Sequence, residues 1–231
     1  MAKKPKNISF AEAASIPLVG LTALQVLRAG GVKEGSKVFI PGGAGGVGSI
    51  AIQIAKKMLK ASHVTTTASP GAGTDICKKV GADRIIDYHR SEDVMAVLKG
   101  EEFDMAFDTM NQASEFGGLI KKGGKIDSIS GTPTIEAIQS AMGSQSLLVR
   151  AFMFMSRNRS AEKTAKKAGA FWQYLFMSPN GKELAEIAKY LESGDIIPII
   201  DTEAASLDDF EVAVNKLFSG RAKGKCVIKV V

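Results

Sequence analysis

The hydrophobic and polar positions at the start of the chain predict two helices. Ser9 and Glu12 have the spacing of a capping box, with apolar residues behind them. Pro17 separates this start from a longer helical stretch, which we expect to end at Gly30 and Gly31. The chain therefore opens with helical structure before its first strand-like segment.

Short apolar runs and amphipathic stretches alternate after this helical start. The strand-like runs are 37–41, 63–69, 84–88, 103–108 and 125–130, and the helix-like stretches between them are 49–60, 73–81, 91–100 and 112–124. The links between these segments are short. This order predicts an α/β fold, namely a doubly wound parallel sheet with helices on both faces.

The second half of the chain continues with helical and strand-like segments. Residues 134–169 have a mostly helical pattern, and 171–177 form an apolar strand-like run without proline. An amphipathic helix is predicted over 180–194. The last predicted elements are a strand over 196–201, a helix over 207–220 and a strand over 225–231.

Composition narrows the class of protein. The chain has 231 residues, of which 45% are hydrophobic, enough for one sizeable core or one core with a small second unit. No apolar run reaches the roughly 18 residues of a membrane span, and the basic start has no apolar signal core. We therefore expect a cytoplasmic protein with no membrane partner. Cys77 and Cys226 are interpreted as ordinary thiols, with a disulfide as the alternative.

The charge of the chain is compatible with an anionic ligand. The net charge is +6, although solubility alone would also account for it. The densest basic run, residues 157–167, has no aromatic side chain among its lysines and arginines. Nucleic-acid binding would need stacking aromatics beside the basic groups, so we interpret the run as a solvated helix face and expect no nucleic-acid partner.

A glycine-rich stretch carries the strongest motif. Gly43, Gly45 and Gly48 form a G-x-G-x-x-G spacing between a strand-like run and a helix. Such glycines allow a tight turn, close approach of a pyrophosphate and close packing of helix on strand. We interpret the stretch as a dinucleotide-binding loop, with a tight turn that binds nothing as the alternative. The Gly-Lys-Ser/Thr ending of a mononucleotide loop is absent.

The end of the second predicted strand bears on which dinucleotide binds. An NAD site usually has Asp or Glu about 20 residues past the glycines, bonded to the ribose 2′-hydroxyl. No acidic residue occurs from Ser49 to Thr74, and Thr67 and Ser69 stand at the expected position. A hydroxyl donates to a 2′-phosphate without repelling it, which favours NADPH over NADH.

The sequence indicates neither a metal site nor a nucleophile. His63 and His89 are not part of a Cys–His cluster, so we interpret both as packed or surface residues and expect a zinc-independent protein. The G-x-S-x-G motif of serine hydrolases is also absent. No residue is therefore assigned a catalytic role.

The order of several motifs resembles one enzyme family. The motifs are SFAEAASIPLVGLTALQVL, GGAGGVGSIAIQIAK, TTTAS, GADRIIDY, FDMAFDT, GGKIDSISG and GRAKGKCVIKV. They span nearly the whole chain and are similar to the medium-chain dehydrogenase/reductases, above all to their zinc-free quinone oxidoreductase (zeta-crystallin-like) branch. The resemblance implies a Rossmann-type domain that binds NADPH.

The resemblance also implies which residues contact the cofactor. These residues are Thr22, Gly43, Gly45, Gly46, Val47, Ser69, Tyr88, Thr109, Gly131, Thr132 and Arg221. Thr22 would lie near the nicotinamide, the loop would contact the pyrophosphate, and the backbone at 109–110 and 130–132 would follow the cofactor. Ser69, Tyr88 and Arg221 would surround the 2′-phosphate.

Each of three positions also has a structural alternative. Thr22 could be an ordinary helix residue, Tyr88 could close a strand, and Arg221 could be a surface residue in a glycine turn. The chain departs from the family at Gly42, where many relatives have alanine. It also has no basic residue at the place, in the helix after the second strand, where a lysine often helps to hold the 2′-phosphate; Lys78 comes later.

The largest departure concerns domains. In the family, a barrel-like, GroES-like catalytic domain precedes the first motif, and the resemblance leads us to expect that this chain lacks most of it. We expect a dinucleotide-binding domain over 1–197 and a segment over 198–231 that returns to the catalytic domain in relatives. In the family, two sheets join edge to edge in a dimer, and 171–177 is the candidate edge strand of a homodimer.

The resemblance implies an NADPH-dependent oxidoreductase that reduces quinones or α,β-unsaturated carbonyls by hydride transfer. Loss of the catalytic domain would reduce this activity. The alternative is a non-catalytic module that only binds NADP(H). The hydride acceptor itself is not specified by the sequence.

Overall fold

The computed structural model describes residues 1–89, 93–156, 158–204 and 206–230. Its main sheet is built from β1 (Lys37–Ile40), β2 (His63–Ala68), β3 (Arg84–Asp87), β4 (Phe103–Asp108), β5 (Ile120–Ser128) and β6 (Phe171–Tyr174). All neighbouring strands are parallel, and their order is β3-β2-β1-β4-β5-β6. This order confirms the predicted doubly wound sheet, a Rossmann-type arrangement.

Helices connect and flank these strands. They are α1 (Phe10–Ala14), α2 (Pro17–Ala29), α3 (Gly46–Gln53), α4 (Ala72–Lys79), α5 (Val94–Val97), α6 (Ile135–Met142), α7 (Leu147–Ser156), α8 (Arg159–Ala168), α9 (Gly181–Glu192) and α10 (Phe210–Phe218). A π-helical segment, Ile54–Met58, extends α3, and a 3₁₀ segment, Ala113–Leu119, precedes β5. A separate pair of parallel strands is formed by β7 (Ile200–Ala204) and β8 (Lys225–Ile228).

Apolar side chains cover both faces of the main sheet, because successive strand residues point to opposite faces. Val38 and Ile40 belong to the cluster shared with α2, α3 and α9. Phe39 points the other way, and its ring lies 5.6 Å from that of Phe103 and 5.3 Å from that of Phe116. The two clusters therefore cover the two faces of the sheet, and they do not cover the ends of its strands.

The first two helices form as the sequence predicts. The Ser9 hydroxyl accepts the Glu12 N–H at 3.1 Å, and the Glu12 carboxylate accepts the Ser9 N–H at 2.7 Å. Pro17 stands in the first turn of α2, where its missing N–H is tolerated. Gly31 follows the helix with a φ of +78°, a conformation that favours glycine.

The prediction of one helix over 112–124 is wrong. Residues 113–119 form a 3₁₀ segment, and β5 begins at Ile120. The glycines of this stretch lower its helix propensity. A Cβ at Gly124 would also lie only 2.8 Å from the Asp104 carbonyl oxygen of β4, so strand pairing at close range replaces the helix.

Several other predicted elements are shorter or differ in detail. Helix α5 has four residues, and the start of the predicted helix 91–100 lies outside the described residues, as do Arg157 and Val231 of the predicted basic run and last strand. Strand β6 covers only the first part of 171–177, but it does form an edge of the sheet. Both cysteines are free thiols, as expected.

Among the residues that the structure describes, no helix combines the length and the apolar character needed to cross a membrane.

Candidate functional site

The glycine loop lies at the point where the sheet changes direction. The chain leaves β1 towards β2 on one side, and β4 lies against β1 on the other side. Connections on opposite sides of a strand leave a crevice at its carboxyl end. The glycine loop, residues 41–46, follows β1 directly and therefore borders this crevice.

Two glycines of this loop and one in the first turn of α3 are required by backbone conformation or by close contacts. Gly42 has a φ of +68°, which other residues rarely adopt. A Cβ at Gly43 would overlap the Thr66 hydroxyl, and a Cβ at Gly48 would overlap the Gly42 carbonyl oxygen. The glycine spacing therefore reflects real crowding between loop, helix and neighbouring strand.

Hydroxyl groups of adjacent strands hold the loop in place. The N–H of Gly42 donates to the Thr67 hydroxyl at 3.0 Å, and the N–H of Gly43 donates to the Thr67 carbonyl oxygen at 3.1 Å. On the other side, the Thr109 hydroxyl donates to the Pro41 carbonyl oxygen at 2.8 Å. Thr67 is thus engaged with the loop, whereas Ser69 lies beyond it at the end of β2.

Helix α3 presents its N-terminus to the crevice. Gly45 is the N-cap residue, with extended backbone, and Gly46 and Val47 are the first helical residues. Glycine has no side chain to accept the first helical N–H groups, and the positive end of the helix dipole lies here. These groups suit an anionic ligand such as a pyrophosphate.

The carboxyl ends of β4 and β5 complete the border of the crevice. Thr109 and Met110 begin the turn that follows β4. A Cβ at Gly42 would lie 3.2 Å from the Met110 sulfur and 3.5 Å from the Thr109 hydroxyl, so this turn contacts the glycine loop. Gly131 has a φ of +90° and packs against the Asn111 side chain. The predicted positions after β4 and β5 are therefore brought together.

A buried carboxylate shapes this part of the site. Asp108, at the end of β4, is fully buried and accepts the N–H groups of Met110, Gln112 and Ala113 at 3.0, 2.9 and 3.1 Å. It also accepts the Ser128 hydroxyl at 2.9 Å. The sequence reasoning did not single out Asp108, although an acidic residue ending a buried strand is a usable signal.

Ser69 and Tyr88 lie at the ends of neighbouring strands. The register pairs Ala68 of β2 with Asp87 of β3, so the next residue of each strand, Ser69 or Tyr88, follows at the same edge. Tyr88 is 49% exposed, and its ring centroid lies 4.6 Å from that of His89. The two predicted residues are thus placed near the same end of the sheet.

Thr22 and Arg221 are less closely tied to the crevice. Thr22 is buried in α2, and its hydroxyl donates to the Leu18 carbonyl oxygen at 2.7 Å within the same helix. Arg221 is exposed in the turn between α10 and β8, where its N–H donates to the Ser219 hydroxyl. No contact in the described structure joins either side chain to the glycine loop.

Lys225 is a site residue that the sequence reasoning missed. A Cβ at Gly46 would lie 2.8 Å from Lys225 Cδ and 3.3 Å from the Gly224 carbonyl oxygen, so β8 begins directly against the N-terminus of α3. The lysine stem lies along the helix start and can carry its ammonium to an anion bound there. The Gly-Lys pair before a strand was the available sequence signal.

The groups near the loop are otherwise unreactive. Burial raises the pKa of the Cys77 thiol to about 12, and Cys77 lies beside Gly43, so it acts as a packed neutral side chain. Among the described residues, no group of three His, Cys, Asp or Glu side chains could hold a metal ion. These residues therefore do not provide a zinc site, and no chemical step is assigned to one.

Comparison with known proteins adds to this geometry. The family model described as "Zinc-binding dehydrogenase" matches residues 80–228. The chain belongs to the zinc-binding dehydrogenase family. This agrees with the resemblance to medium-chain dehydrogenase/reductases that the motifs indicate.

Similar proteins of this family include reductases. The chain is 34% identical to the 2-methylene-furan-3-one reductase of Solanum lycopersicum, over 99% of this chain and 49% of that protein. It is 31% identical to the mitochondrial NAD(P)H oxidoreductase RTN4IP1 of Bos taurus, over 100% of this chain and 58% of that protein. The chain therefore spans about half the length of these curated relatives.

A solved structure of this family has the same fold. The quinone oxidoreductase from Coxiella burnetii is 30% identical, with a TM-score of 0.78, over 99% of this chain and 63% of that chain. Its similarity covers the six-stranded sheet and the elements around it. The two structures thus share the fold over nearly the whole of this chain.

Proposed function

We propose that this chain binds a nicotinamide dinucleotide, NADPH in preference to NADH, and that it provides the cofactor-binding part of a reductase of quinones or α,β-unsaturated carbonyls. The observation that carries the proposal is the crowded glycine loop between β1 and α3, in which a side chain at Gly43 or Gly48 would overlap its neighbours. Such a loop leaves only backbone N–H groups facing the crevice.

The pyrophosphate would lie against Gly45, Gly46 and Val47, with the Lys225 ammonium beside it. Backbone N–H groups fix its position, and the lysine charge offsets its negative charge. At the opposite side, the backbone of 109–110 and 130–132 would border the nicotinamide half. Thr22 is kept as a prediction for that half, although its hydroxyl is bonded within α2.

The preference for NADPH rests on the end of β2. No carboxylate follows the glycines before Asp75, so no carboxylate of this stretch would repel a 2′-phosphate or accept the 2′-hydroxyl of NADH. Ser69 and Tyr88 supply hydroxyl groups at this edge, and Arg221 is the candidate that the family resemblance gives for a positive charge. The relative named NAD(P)H oxidoreductase is compatible with either cofactor.

The reaction class follows from the relatives' names. One is named a reductase of a methylene-furanone, which is an α,β-unsaturated ketone, and another a quinone oxidoreductase. A bound reduced nicotinamide supplies hydride to such acceptors without a metal. The residues of this chain would orient the cofactor and exclude water along its length, while no residue is assigned as proton donor.

The predicted domain boundary near residue 197 also stays a proposal. The Gln53 side chain of α3 donates to the Ile197 carbonyl oxygen at 3.0 Å and accepts the Ile197 N–H at 2.8 Å. This pair of bonds attaches the chain to the first unit just before β7 begins. We propose 1–197 as the dinucleotide-binding unit and 198–231 as the returning segment.

Homodimer formation and a cytoplasmic location are also proposals. β6 is an edge strand, and its Phe171 ring is 67% exposed, which suits pairing with a second sheet edge. The mitochondrial label in the name of the Bos taurus relative concerns that protein, and a cytoplasmic location is our proposal for this chain. Light scattering at micromolar concentration would give the oligomeric state.

Replacement of Gly45 by Asp tests the proposed binding loop. Asp is a good N-cap residue, so its carboxylate should bond the helix N–H groups in the place of the phosphate. We expect at least a tenfold loss of NADPH affinity, measured by cofactor fluorescence, with a small loss of thermal stability, because a Cβ at Gly45 would lie 3.2 Å from the Gly42 carbonyl oxygen. The control is Gly118→Asp, since a Cβ at this exposed glycine meets nothing within 4 Å.

Equal NADPH affinity in Gly45→Asp and wild type would contradict the proposed loop. A second variant, Lys225→Met, keeps the stem against Gly46 and removes the charge, so affinity should fall and depend less on salt. Adding a simple 1,4-quinone to the NADPH complex then tests turnover through loss of nicotinamide absorbance. Binding without quinone-dependent loss would favour the non-catalytic module.

A further inference from the structure

The edge strand β6 donates two side-chain hydrogen bonds to the end of β5. The Trp172 indole N–H donates to the Ser128 hydroxyl at 3.0 Å, and the Tyr174 hydroxyl donates to the Ile129 carbonyl oxygen at 2.9 Å. The backbone N–H of Leu175 adds a bond to the Ser128 carbonyl oxygen, also at 2.9 Å. The end of β5 is therefore held from the side of the sheet edge.

The bond from Trp172 continues through Ser128 to Asp108. An indole nitrogen can only donate, so the Ser128 oxygen accepts from it and the Ser128 proton points to the Asp108 carboxylate, 2.9 Å away. The same carboxylate accepts the N–H groups of Met110, Gln112 and Ala113. We call this chain of hydrogen bonds, from Trp172 through Ser128 to Asp108 and its three backbone N–H donors, the relay. One assignment of donors and acceptors satisfies all of its bonds.

The relay is shielded from water. Asp108 is 0% and Ser128 1% exposed, so a broken bond would not be replaced easily by solvent. Its far end is the turn at 109–113, which contacts the glycine loop through Thr109 and Met110. Trp172 itself lies on β6, separated from β1 by β4 and β5.

We infer that Trp172 is a positioning residue for the nicotinamide half of the cofactor, acting through Ser128 and Asp108 on the turn at 109–113. The inference rests on the proposed function, because that function places the nicotinamide half beside this turn. The adenosine half would be held separately, by the ends of β2 and β3. Loss of the indole N–H should therefore affect the two halves differently.

The test uses Trp172→Phe, which keeps an aromatic ring and removes the N–H donor. The probes are NADPH and adenosine 2′,5′-bisphosphate, which lacks the nicotinamide half. We expect NADPH affinity to fall about threefold to tenfold, the size of one lost hydrogen bond, and the bisphosphate affinity to stay unchanged. Ser128→Ala should give the same pattern.

The control is Asp83→Asn, which alters a hydrogen-bonded carboxylate outside the relay; Asp83 is exposed and precedes β3, whereas the turn at 109–113 follows β4 at the opposite end of the parallel sheet. Asp83 accepts the Val64 N–H at 2.7 Å and pairs with Lys56 at 2.9 Å. This variant should lower the melting temperature and leave the affinity for both probes unchanged. A general loss of stability would thus be separated from a positioning effect.

Amide hydrogen exchange of the protein without cofactor tests the relay independently of binding. Met110, Gln112 and Ala113 should exchange faster in Trp172→Phe than in wild type, while Val64 should not change. Unchanged exchange, or equal loss of both probes, would overturn the inference. If wild type binds neither probe but exchange does change, the relay stands and the proposed function fails, together with the nicotinamide role.

Discussion

Asp108 and Asp127 are two fully buried carboxylates on neighbouring strands, and their surroundings differ sharply. Asp108 accepts hydrogen bonds from three backbone N–H groups and one hydroxyl. Within the described part of the chain, neither oxygen of Asp127 lies in hydrogen-bond geometry with a partner, although the Gln173 side chain of β6 is close enough to favour its ionised form. Burial removes both carboxylates from water at a cost in free energy, and only at Asp108 do accepted hydrogen bonds offset that cost.

The difference follows from position along the strand. Asp108 is the last residue of β4, where the chain turns and leaves N–H groups unpaired that a carboxylate can accept. Asp127 lies one residue before the end of β5, between Phe107 and Gln173 in register, on the face packed with apolar side chains. Strand ends can accommodate buried charge, whereas strand interiors cannot.

The largest expected effect is the loss of the Asp108 carboxylate. Asp108→Ala leaves three N–H groups and the Ser128 hydroxyl without their acceptor, which should reduce the free energy of unfolding by about 3 kcal/mol or more. Urea unfolding measured with the same protein concentration would give the value. A loss below about 1 kcal/mol would mean that water replaces the carboxylate at this strand end.

Asp127→Val should have the opposite sign. It removes a carboxylate without partners and fills the site with an apolar side chain of similar size, so we expect a gain of about 1–3 kcal/mol at pH 8. Asp127→Asn should gain less, because its amide remains unpaired. Destabilisation by both variants in urea unfolding would show that Asp127 has a partner in solution.

The pH dependence of stability should report on Asp127. Burial raises the pKa of Asp127 from 3.8 to about 7, while Gln173 and Lys125 act against this shift. The folded state therefore binds a proton that the unfolded state has released, and stability falls as pH rises from about 4 to 7. The loss attributable to Asp127 is at most about 4 kcal/mol, at roughly 1.4 kcal/mol per unit.

Unfolding of wild type and Asp127→Asn across pH 5 to 8 measures this contribution. The difference in stability between the two proteins should grow with pH and become constant above about pH 7.5. Parallel curves for wild type and Asp127→Asn would show that Asp127 does not titrate in this range.

The smallest expected effect concerns Lys125. Its ammonium donates to the Ala29 carbonyl oxygen at 2.6 Å and favours the ionised form of Asp127. Lys125→Met should therefore raise the pKa of Asp127 further and cost about 1 kcal/mol of stability for the lost bond. Carbon-13 NMR of the Asp127 carboxyl carbon would follow the titration, and a lower pKa would contradict this assignment.

The strands, the glycine loop and most helices could be predicted because they depend on local patterns. Alternating apolar runs and glycine spacing are visible within a dozen residues, and the first helices matched their capping signals. The 3₁₀ segment at 113–119 could not, because pairing of β5 with β4 decided it. Local propensity gives way where strands meet at close range.

The relay and Lys225 depend on contacts between distant parts of the chain. Ser128 meets Trp172 across 44 positions, and Gly46 meets Lys225 across most of the chain. No local pattern shows which serine a tryptophan will reach or which lysine will lie on a helix start. Such residues become visible only when strand order and register are known.

The place of β6 in the chain has a consequence for synthesis. Domains fold as the ribosome releases them, and a nascent chain ending before residue 171 already contains β1 to β5 with the glycine loop. That chain lacks the indole and phenol donors that hold the end of β5. The glycine loop is thus synthesised before the groups that hold the end of β5, and Lys225, which lies against Gly46, emerges later still.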